Sequence, residues 1–401
     1  MTTTTPAPAA GPYTAGTTVE SVRSAVDALV PVLRANAERT EAERRVPDDN
    51  IEALRAAGVF KLSLPRQHGG LEASLADQIE VTAQIARGCP STSWVTTISL
   101  AVSWMVGVFP DQGRQEVYET PDLCMAGVFA PTAKGERVSG GVVVSGRWGW
   151  NTGSPNAHWA GMAALVKERD GSVSPQFLLI PYSELTVLDD WYSSGLAGTG
   201  SNTTVADNVF VPDHRIRSVL DLATANYPDS SLAATNSYFA KPGVPVFIAG
   251  STGTPQGIAR GATDVFLERL PGRKITYTEY EEQAQAPITH HQVAEAHLKT
   301  TSLDAHVAKT ASLIDDCDGE LTVEARAGVR GHTGHVTRLA REIVEILFQA
   351  SGASAIQTSV PIQRYHRDIQ SLALHALMQP NTNSELLGRV LLGLSPDTTF
   401  L

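Results

Sequence analysis

Two stretches of the chain set aromatic rings beside small hydroxyl side chains. One is Ser145-Gly146-Arg147-Trp148-Gly149-Trp150-Asn151-Thr152-Gly153, and the other runs from Trp191 through Gly198-Thr199-Gly200-Ser201-Asn202-Thr203-Thr204. A flat conjugated ring such as an isoalloxazine needs an apolar wall on one face and a few hydrogen bonds along its polar edge. Trp150 can supply the wall, and Thr152, Ser201 and Thr203 the bonds. The same residues also read as sheet core followed by a turn, because tryptophan is mostly buried and Gly, Ser and Thr crowd turns. A further candidate, His375, stands late in the chain. An unperturbed imidazole, with a pKa of about 6.5, exchanges a proton near neutral pH.

Other chemistries find no support. Gly198-Thr199-Gly200 begins like a dinucleotide fingerprint, but position 203 is Thr and no helical pattern follows. GxxxxGK, HExxH and GxSxG are all absent. His332 with His335, and His290, His291 and His297 on one helix, lack the carboxylate or cysteine company of a metal site. They read as surface or core histidines, and no metal is expected.

The candidates must be positioned by two kinds of element. From 123 to 217, apolar runs such as Gly141-Val142-Val143-Val144 and Phe177-Leu178-Leu179-Ile180-Pro181, bounded by Gly, Pro, Asn and Asp, predict strands. Either side of them the spacing is helical. Before the sheet it predicts one helix over 19–45, bent at Pro31, then helices from Pro47 to Gly58, from Ser74 to Arg87, from Pro90 and from Pro110. After it comes a loop-rich stretch. Helices then follow over 254–270, 287–317, 321–350, 362–378, which carries His375, and 384–392, as in an antiparallel bundle.

A chain of 401 residues with 42% hydrophobic and 18% charged residues can build two or three core-bearing regions. Its net charge of −11 argues against nucleic acid or an anionic membrane as the main partner. Three scattered cysteines, Cys89, Cys124 and Cys317, give no disulfide framework and fit a reducing cytoplasm. Residues 1–17 lack the pattern of a signal peptide and read as a disordered tail. The apolar run 94–109 is short and interrupted by hydroxyl residues, so it reads as a buried helix.

Taken together, the pieces resemble the acyl-CoA dehydrogenase superfamily from about residue 20 to 395. The resemblance is carried, in order, by Gly58-Val59-Phe60 through Pro65-Arg66-Gln67-His68-Gly69-Gly70, by Trp148-Gly149-Trp150-Asn151-Thr152-Gly153, by Gly198-Thr199-Gly200-Ser201, by Val209-Phe210-Val211-Pro212, by Gln349-Ala350-Ser351-Gly352-Ala353, and by Gln363-Arg364-Tyr365-His366-Arg367-Asp368. It implies an α+β fold with a helical N-terminal domain (18–121), a middle β-domain (122–217) and a C-terminal four-helix bundle (218–401), assembled as a homotetramer. It also implies a flavin between the domains, with Thr152 beside N5, Trp150 against the ring, and Gln349 and Gly352 reaching the flavin tail of a neighbouring subunit.

The superfamily contains dehydrogenases and oxygenases. Where many dehydrogenases carry a catalytic glutamate, eight residues after the aspartate of the last motif, this chain has Ala376, and no carboxylate lies between Ile369 and Asn383. His375 stands one residue earlier instead, which resembles the two-component flavin monooxygenases that hydroxylate phenols, where a histidine at this place deprotonates the substrate. Gly88-Cys89-Pro90-Ser91-Thr92-Ser93-Trp94 resembles the same branch. The implied function is a cytoplasmic monooxygenase that takes reduced FMN or FAD from a separate reductase and puts one atom of O2 into an aromatic or amine small molecule through a flavin C4a-hydroperoxide. This chain departs from the phenol hydroxylases at Gln370, Val102 and Met105, where they often carry histidines. Amino-sugar N-oxygenation on the same scaffold and dehydrogenation by bound FAD are the alternatives, with a catalytically inactive flavin-binding subunit as a third.

Overall fold

The computed structural model describes residues 16–398 and 400–401. The expected tail, 1–17, lies almost wholly outside the described residues. Six helices come first: α1 (Val19–Ala35), α2 (Ala37–Ala42), α3 (Asp48–Ala56), α4 (Leu75–Gly88), α5 (Pro90–Val106) and α6 (Asp111–Tyr118). Their starts are written in the sequence. Thr18 and Ser21 form a reciprocal capping box on α1, Ser74 caps α4, and Pro90 occupies the first turn of α5, where its missing N–H costs nothing. Instead of one helix over 19–45, the chain breaks at Asn36, whose Nδ2 donates to Asn50 Oδ1 at 2.7 Å. Pro31 sits inside α1 without ending it.

The middle of the chain forms one seven-stranded sheet from β1 (Met125–Val138), β2 (Gly141–Trp148), β3 (Trp159–Lys167), β4 (Val173–Pro181), β5 (Thr186–Val187), β6 (Thr204–Pro212) and β7 (Ile216–Ser218). The order is β5-β6-β2-β1-β3-β4-β7, antiparallel except for the β1–β3 pair. The alternation of β3 divides its side chains between two cores. Ala160, Met162, Ala164 and Val166 join Trp148 on one face, while Trp159 and Ala163 join the larger helical core on the other.

That larger core centres on α5, every residue of which except Ala101 is buried. Val102 of α5 lies so close to the sheet that a Cβ on Gly127 or Gly161 would come within 2.8 or 2.9 Å of it, so glycine on adjacent strands lets the helix down onto β1 and β3. The remaining chain is helical: α7 (Val219–Thr224), α8 (Ser231–Thr235), α9 (Gly243–Gly250), α10 (Gly253–Arg269), α11 (Pro287–Asp315), α12 (Val323–Ala350), α13 (Ile362–Leu372) and α14 (Pro380–Leu391). The stretch expected to be loop-rich thus holds three short helices. The last helix begins four residues before its expected start, at Pro380, and α13 stops six residues before its expected end. Among the described residues no helix is long and apolar enough to cross a membrane.

Candidate active site

The sheet side of the site is a turn after β2. Trp148 is buried at the strand end, where its Nε1 donates to Ala163 O at 2.6 Å. The backbone then turns through left-handed conformations at Trp150 (φ 63°) and Gly153 (φ 78°). This throws the Trp150 ring outward, 76% exposed, with only its edge against Trp191 at 5.1 Å. Asn151 points inward, donating to Tyr182 Oη at 2.6 Å and Thr204 Oγ1 at 2.9 Å, and so ties the turn to β6. Its Oδ1 is buried without a partner.

Thr152 begins a string of buried hydroxyls. It meets Ser201 Oγ at 2.9 Å, Ser201 meets Thr199 Oγ1 at 2.7 Å, and Thr199 donates to Leu196 O at 2.8 Å. Each hydroxyl has one proton, so the last bond fixes the rest. Thr199 has given its proton to Leu196, so Ser201 donates to Thr199 and Thr152 donates to Ser201. The Thr152 oxygen keeps a free lone pair and is an acceptor. Thr203, expected beside Ser201, turns elsewhere and uses both its N–H and its hydroxyl on Asp190.

The loop that carries this string is held by α13. Leu196, itself left-handed at φ 52°, donates its N–H to Asp368 Oδ1 at 2.6 Å, and Arg367 Nη1 donates to Ser194 O at 2.6 Å. Between them Gly195 runs against the helix, where a Cβ would come 2.3 Å from Arg367 O. Asp368 is buried and its Oδ2 has no partner. Burial pushes its carboxyl up to about 7. Glu41 of α2 receives Arg364 at 2.9 Å and Arg367 at 2.5 Å. Burial alone would raise its pKa, but the two guanidinium groups hold it below the usual range.

His375 lies in the turn after α13 and not on a helix, because the chain leaves helical geometry after Leu372 to reach α14. The imidazole is partly exposed and sits edge-on to Trp94 of α5, with centroids 5.2 Å apart at 73°. Its pKa is not the ordinary one. Burial, and then the charge of Arg330, press it down to about 4, so the ring is neutral at pH 7. Val95, next to Trp94, lies 3.1 Å from the position of a Cβ on Gly153. The start of α5 therefore touches both turns, Val95 meeting the Thr152 turn and Trp94 meeting the His375 turn.

Gln349 and Gly352 are not brought to this wall. Gln349 is exposed at the end of α12 and donates to Glu345 at 2.7 Å, and Gly352 (φ 64°) follows it near Arg273. His332 and His335 meet an unexpected third histidine, His306, whose Nδ1 is 2.8 Å from that of His332. No group of three or more such side chains among the described residues is arranged to hold a metal ion. Two surface clefts of about 350 and 560 Å³ lie elsewhere, the larger lined by Asp48, Asp49, Glu52, Arg55 and His158, whose carboxylates would repel a phosphate. Sequence reasoning missed Thr199, Trp94, Asp368 and Arg330 as site residues. The first three lie inside motifs quoted above, but nothing in the sequence marks Arg330.

The groups present fit a flavin edge: an outward aromatic face at Trp150, a buried acceptor at Thr152, and an orphaned amide oxygen at Asn151. Models of the acyl-CoA dehydrogenase N-terminal and C-terminal domains match residues 17–118 and 252–380. A pigment production hydroxylase from a Rhodococcus species is 33% identical over 378 residues, covering 92% of this chain and 95% of its own. An FADH2-dependent resorcinol hydroxylase, oxygenase component, from a Rhizobium species is 31% identical over 389 residues, covering 92% and 94%. The crystal structure of the HsaA monooxygenase from Mycobacterium tuberculosis superimposes with a TM-score of 0.88 at 31% identity, covering 96% of this chain and 100% of that one.

Proposed function

As the chain belongs to the acyl-CoA dehydrogenase family and is a flavin-dependent monooxygenase, we propose that it hydroxylates a phenolic ring as the oxygenase component of a two-component system. The observation that carries this reading is the direction of the hydroxyl string. A reduced flavin bears a proton on N5 and donates there, whereas the oxidised ring accepts. The free lone pair of Thr152 suits the reduced form. Reduced FMN or FAD, supplied by a separate reductase, provides the two electrons that let O2 place one oxygen atom in the product and the other in water.

The chain's own residues do the rest. Thr152 would accept the N5–H of a bound reduced flavin, Ser201 and Thr199 would fix the Thr152 rotamer, Trp150 would offer the ring face, and buried Trp94 and Val95 would exclude water where α5 meets the two turns. His375 faces the phenolic oxygen. The dehydrogenase reading lacks a carboxylate base at the place where many dehydrogenases carry it, since none lies between Ile369 and Asn383. The resorcinol hydroxylase among its relatives supports a phenol as substrate. Gln349 and Gly352, remote from Thr152 within one chain, would serve a neighbouring subunit's flavin in a homotetramer, and the three free cysteines fit a cytoplasmic enzyme.

The test is isotopic. With chemically reduced FAD, ¹⁸O2 and resorcinol or a panel of related phenols, the hydroxylated product should carry one labelled oxygen. No labelled product from any of them, together with reduction of bound FAD by an acyl thioester, would sink the proposal.

A further inference from the structure

We infer that Asp368 is a positioning residue for the cofactor: through Leu196 it sets the direction of the hydroxyl string that ends at Thr152. This rests on the flavin-edge reading above and adds the group on the bundle that enforces it. Asp368 is 2% exposed, and among the described residues no cation forms an ion pair with it, because its neighbours Arg364 and Arg367 turn instead to Glu41. Its one hydrogen bond is the 2.6 Å contact from the Leu196 N–H, and Oδ2 has no partner. A buried carboxyl without an ion pair is destabilising. Here the whole side chain serves one backbone amide.

That amide belongs to the residue where the string ends. Leu196 is left-handed, at φ 52° and ψ 30°, a conformation that a bulky L-residue keeps only under constraint. The constraint acts on both of its polar groups. Asp368 holds the N–H, and the carbonyl accepts from Thr199 N at 3.1 Å, Thr199 Oγ1 at 2.8 Å and Trp191 Nε1 at 3.2 Å. The Thr152 turn is tied to the same loop, since Gly153 N donates to Thr199 O at 2.9 Å. The carbonyl of Leu196 thereby decides which way Thr199 gives its proton, and Thr199 decides for Ser201 and Thr152.

Without the acceptor on α13 the N–H is freed, and Leu196 can return to negative φ, which carries its carbonyl away from Thr199. Thr199 then donates to Ser201, Ser201 to Thr152, and Thr152 turns its own proton outward. The edge changes from acceptor to donor. An outward proton suits N5 of an oxidised ring and opposes the N5–H of a reduced one. Asp368 thus favours the reduced form from behind the loop, without touching the cofactor. It does so in either protonation state, because Oδ1 accepts while Oδ2 carries any proton.

The experiment titrates the full chain with oxidised flavin and, anaerobically, with reduced flavin, FMN and FAD in turn, and takes the ratio of the two affinities. Asp368→Asn keeps an acceptor for Leu196 and should leave the ratio within about twofold of wild type. Asp368→Leu, which has none, should lower the ratio about tenfold, a shift of about 30 mV in the bound two-electron couple. In a Thr152→Val background the same change should move the ratio by less than about twofold, because the string no longer reaches the edge. In the flavin-free protein, amide hydrogen exchange over 196–203 should rise in Asp368→Leu and keep the wild-type rate in Asp368→Asn. Asp368→Ala replaces the leucine variant if that does not fold. Equal losses for both redox forms in Asp368→Leu, an undiminished effect in the Thr152→Val background, or unchanged exchange overturns the inference and leaves the flavin-edge reading intact. A wild-type protein that binds neither redox form, or whose ratio Thr152→Val leaves unchanged, overturns that reading and the inference with it.

Discussion

The Thr152 turn and the His375 turn both touch the start of α5 but are built from opposite materials. On the sheet side the working groups are neutral dipoles passing hydrogen bonds in one direction, from Thr152 through Ser201 and Thr199 to a backbone carbonyl. On the bundle side they are ionisable groups, Asp368 and Arg330 buried and His375 half-buried, each pressed toward its neutral form by loss of solvent. Asp368 is pushed up to about 7, Arg330 down to about 10 and His375 down to about 4. The difference assigns roles. On the proposed function, a dipole string would orient a cofactor edge identically at any pH at which the protein is folded, while the bundle side holds the groups whose charge changes with pH.

The largest effect should come from abolishing the bundle side's sensitivity to pH. The Asp368 carboxyl has a folded pKa of about 7, raised above its unfolded value. Its contribution to stability is therefore fully present below the unfolded pKa of about 4 and is lost as pH rises through about 7. Asp368→Asn keeps an acceptor for Leu196 and cannot titrate. Relative to wild type, the variant should gain up to roughly 4 kcal/mol in unfolding free energy between pH 4 and 8, at 1.36 kcal/mol per pKa unit. Parallel denaturant titrations across that range measure it. Equal slopes for the two proteins would mean that Asp368 is ionised throughout.

A smaller effect is expected where the two sides touch. Gly195 lies against α13 with no room for a methyl group, 2.3 Å from Arg367 O. Gly195→Ala must push the 194–203 loop off the helix, at a cost of about 1–3 kcal/mol. It should also lengthen the Leu196–Asp368 bond and lower the Asp368 pKa as water enters. If instead the loss of stability is the same at pH 5 and pH 8, the loop and the helix are coupled by packing alone.

The two regions also differed in how far the sequence disclosed them. The order of helices and strands was legible because their signals are local: Thr18, Ser74 and Pro90 mark helix starts, and continuous apolar runs such as 162–166 mark strands. Thr152 and Ser201 were legible for the same reason, since each lies within a short run of turn residues beside a strand. His375 was found by its place after Asp368, but its setting was misjudged. A helix through 378 was expected because 362–378 keeps apolar spacing, yet the Leu377 and Asn383 contacts close a turn there. Its pKa was taken as ordinary because Arg330, 45 positions away in the chain, leaves no trace in the local pattern. Thr203 fails similarly. Its neighbourhood suggested the string, and Asp190, from the other end of the loop, claims it.

The sheet side yields the smallest change and the cleanest discrimination. Thr152→Val removes one neutral hydrogen bond, to Ser201, while Ser201 keeps its own donation to Thr199. The stability loss should be about 1 kcal/mol, within the 0.5–1.5 kcal/mol typical of such a bond, and the same at pH 6 and pH 8 because nothing in the string titrates there. Reduced flavin loses the acceptor that its N5–H requires, so its affinity should fall about tenfold in an anaerobic titration, equivalent to about 1.4 kcal/mol. Oxidised flavin has no proton at that position and should bind within about twofold of wild type. The ratio of the two affinities isolates the direction of the string from its packing. Equal losses for both redox forms would mean that Thr152 only fills space, and the sheet side would then owe its preference for reduced flavin to some other group.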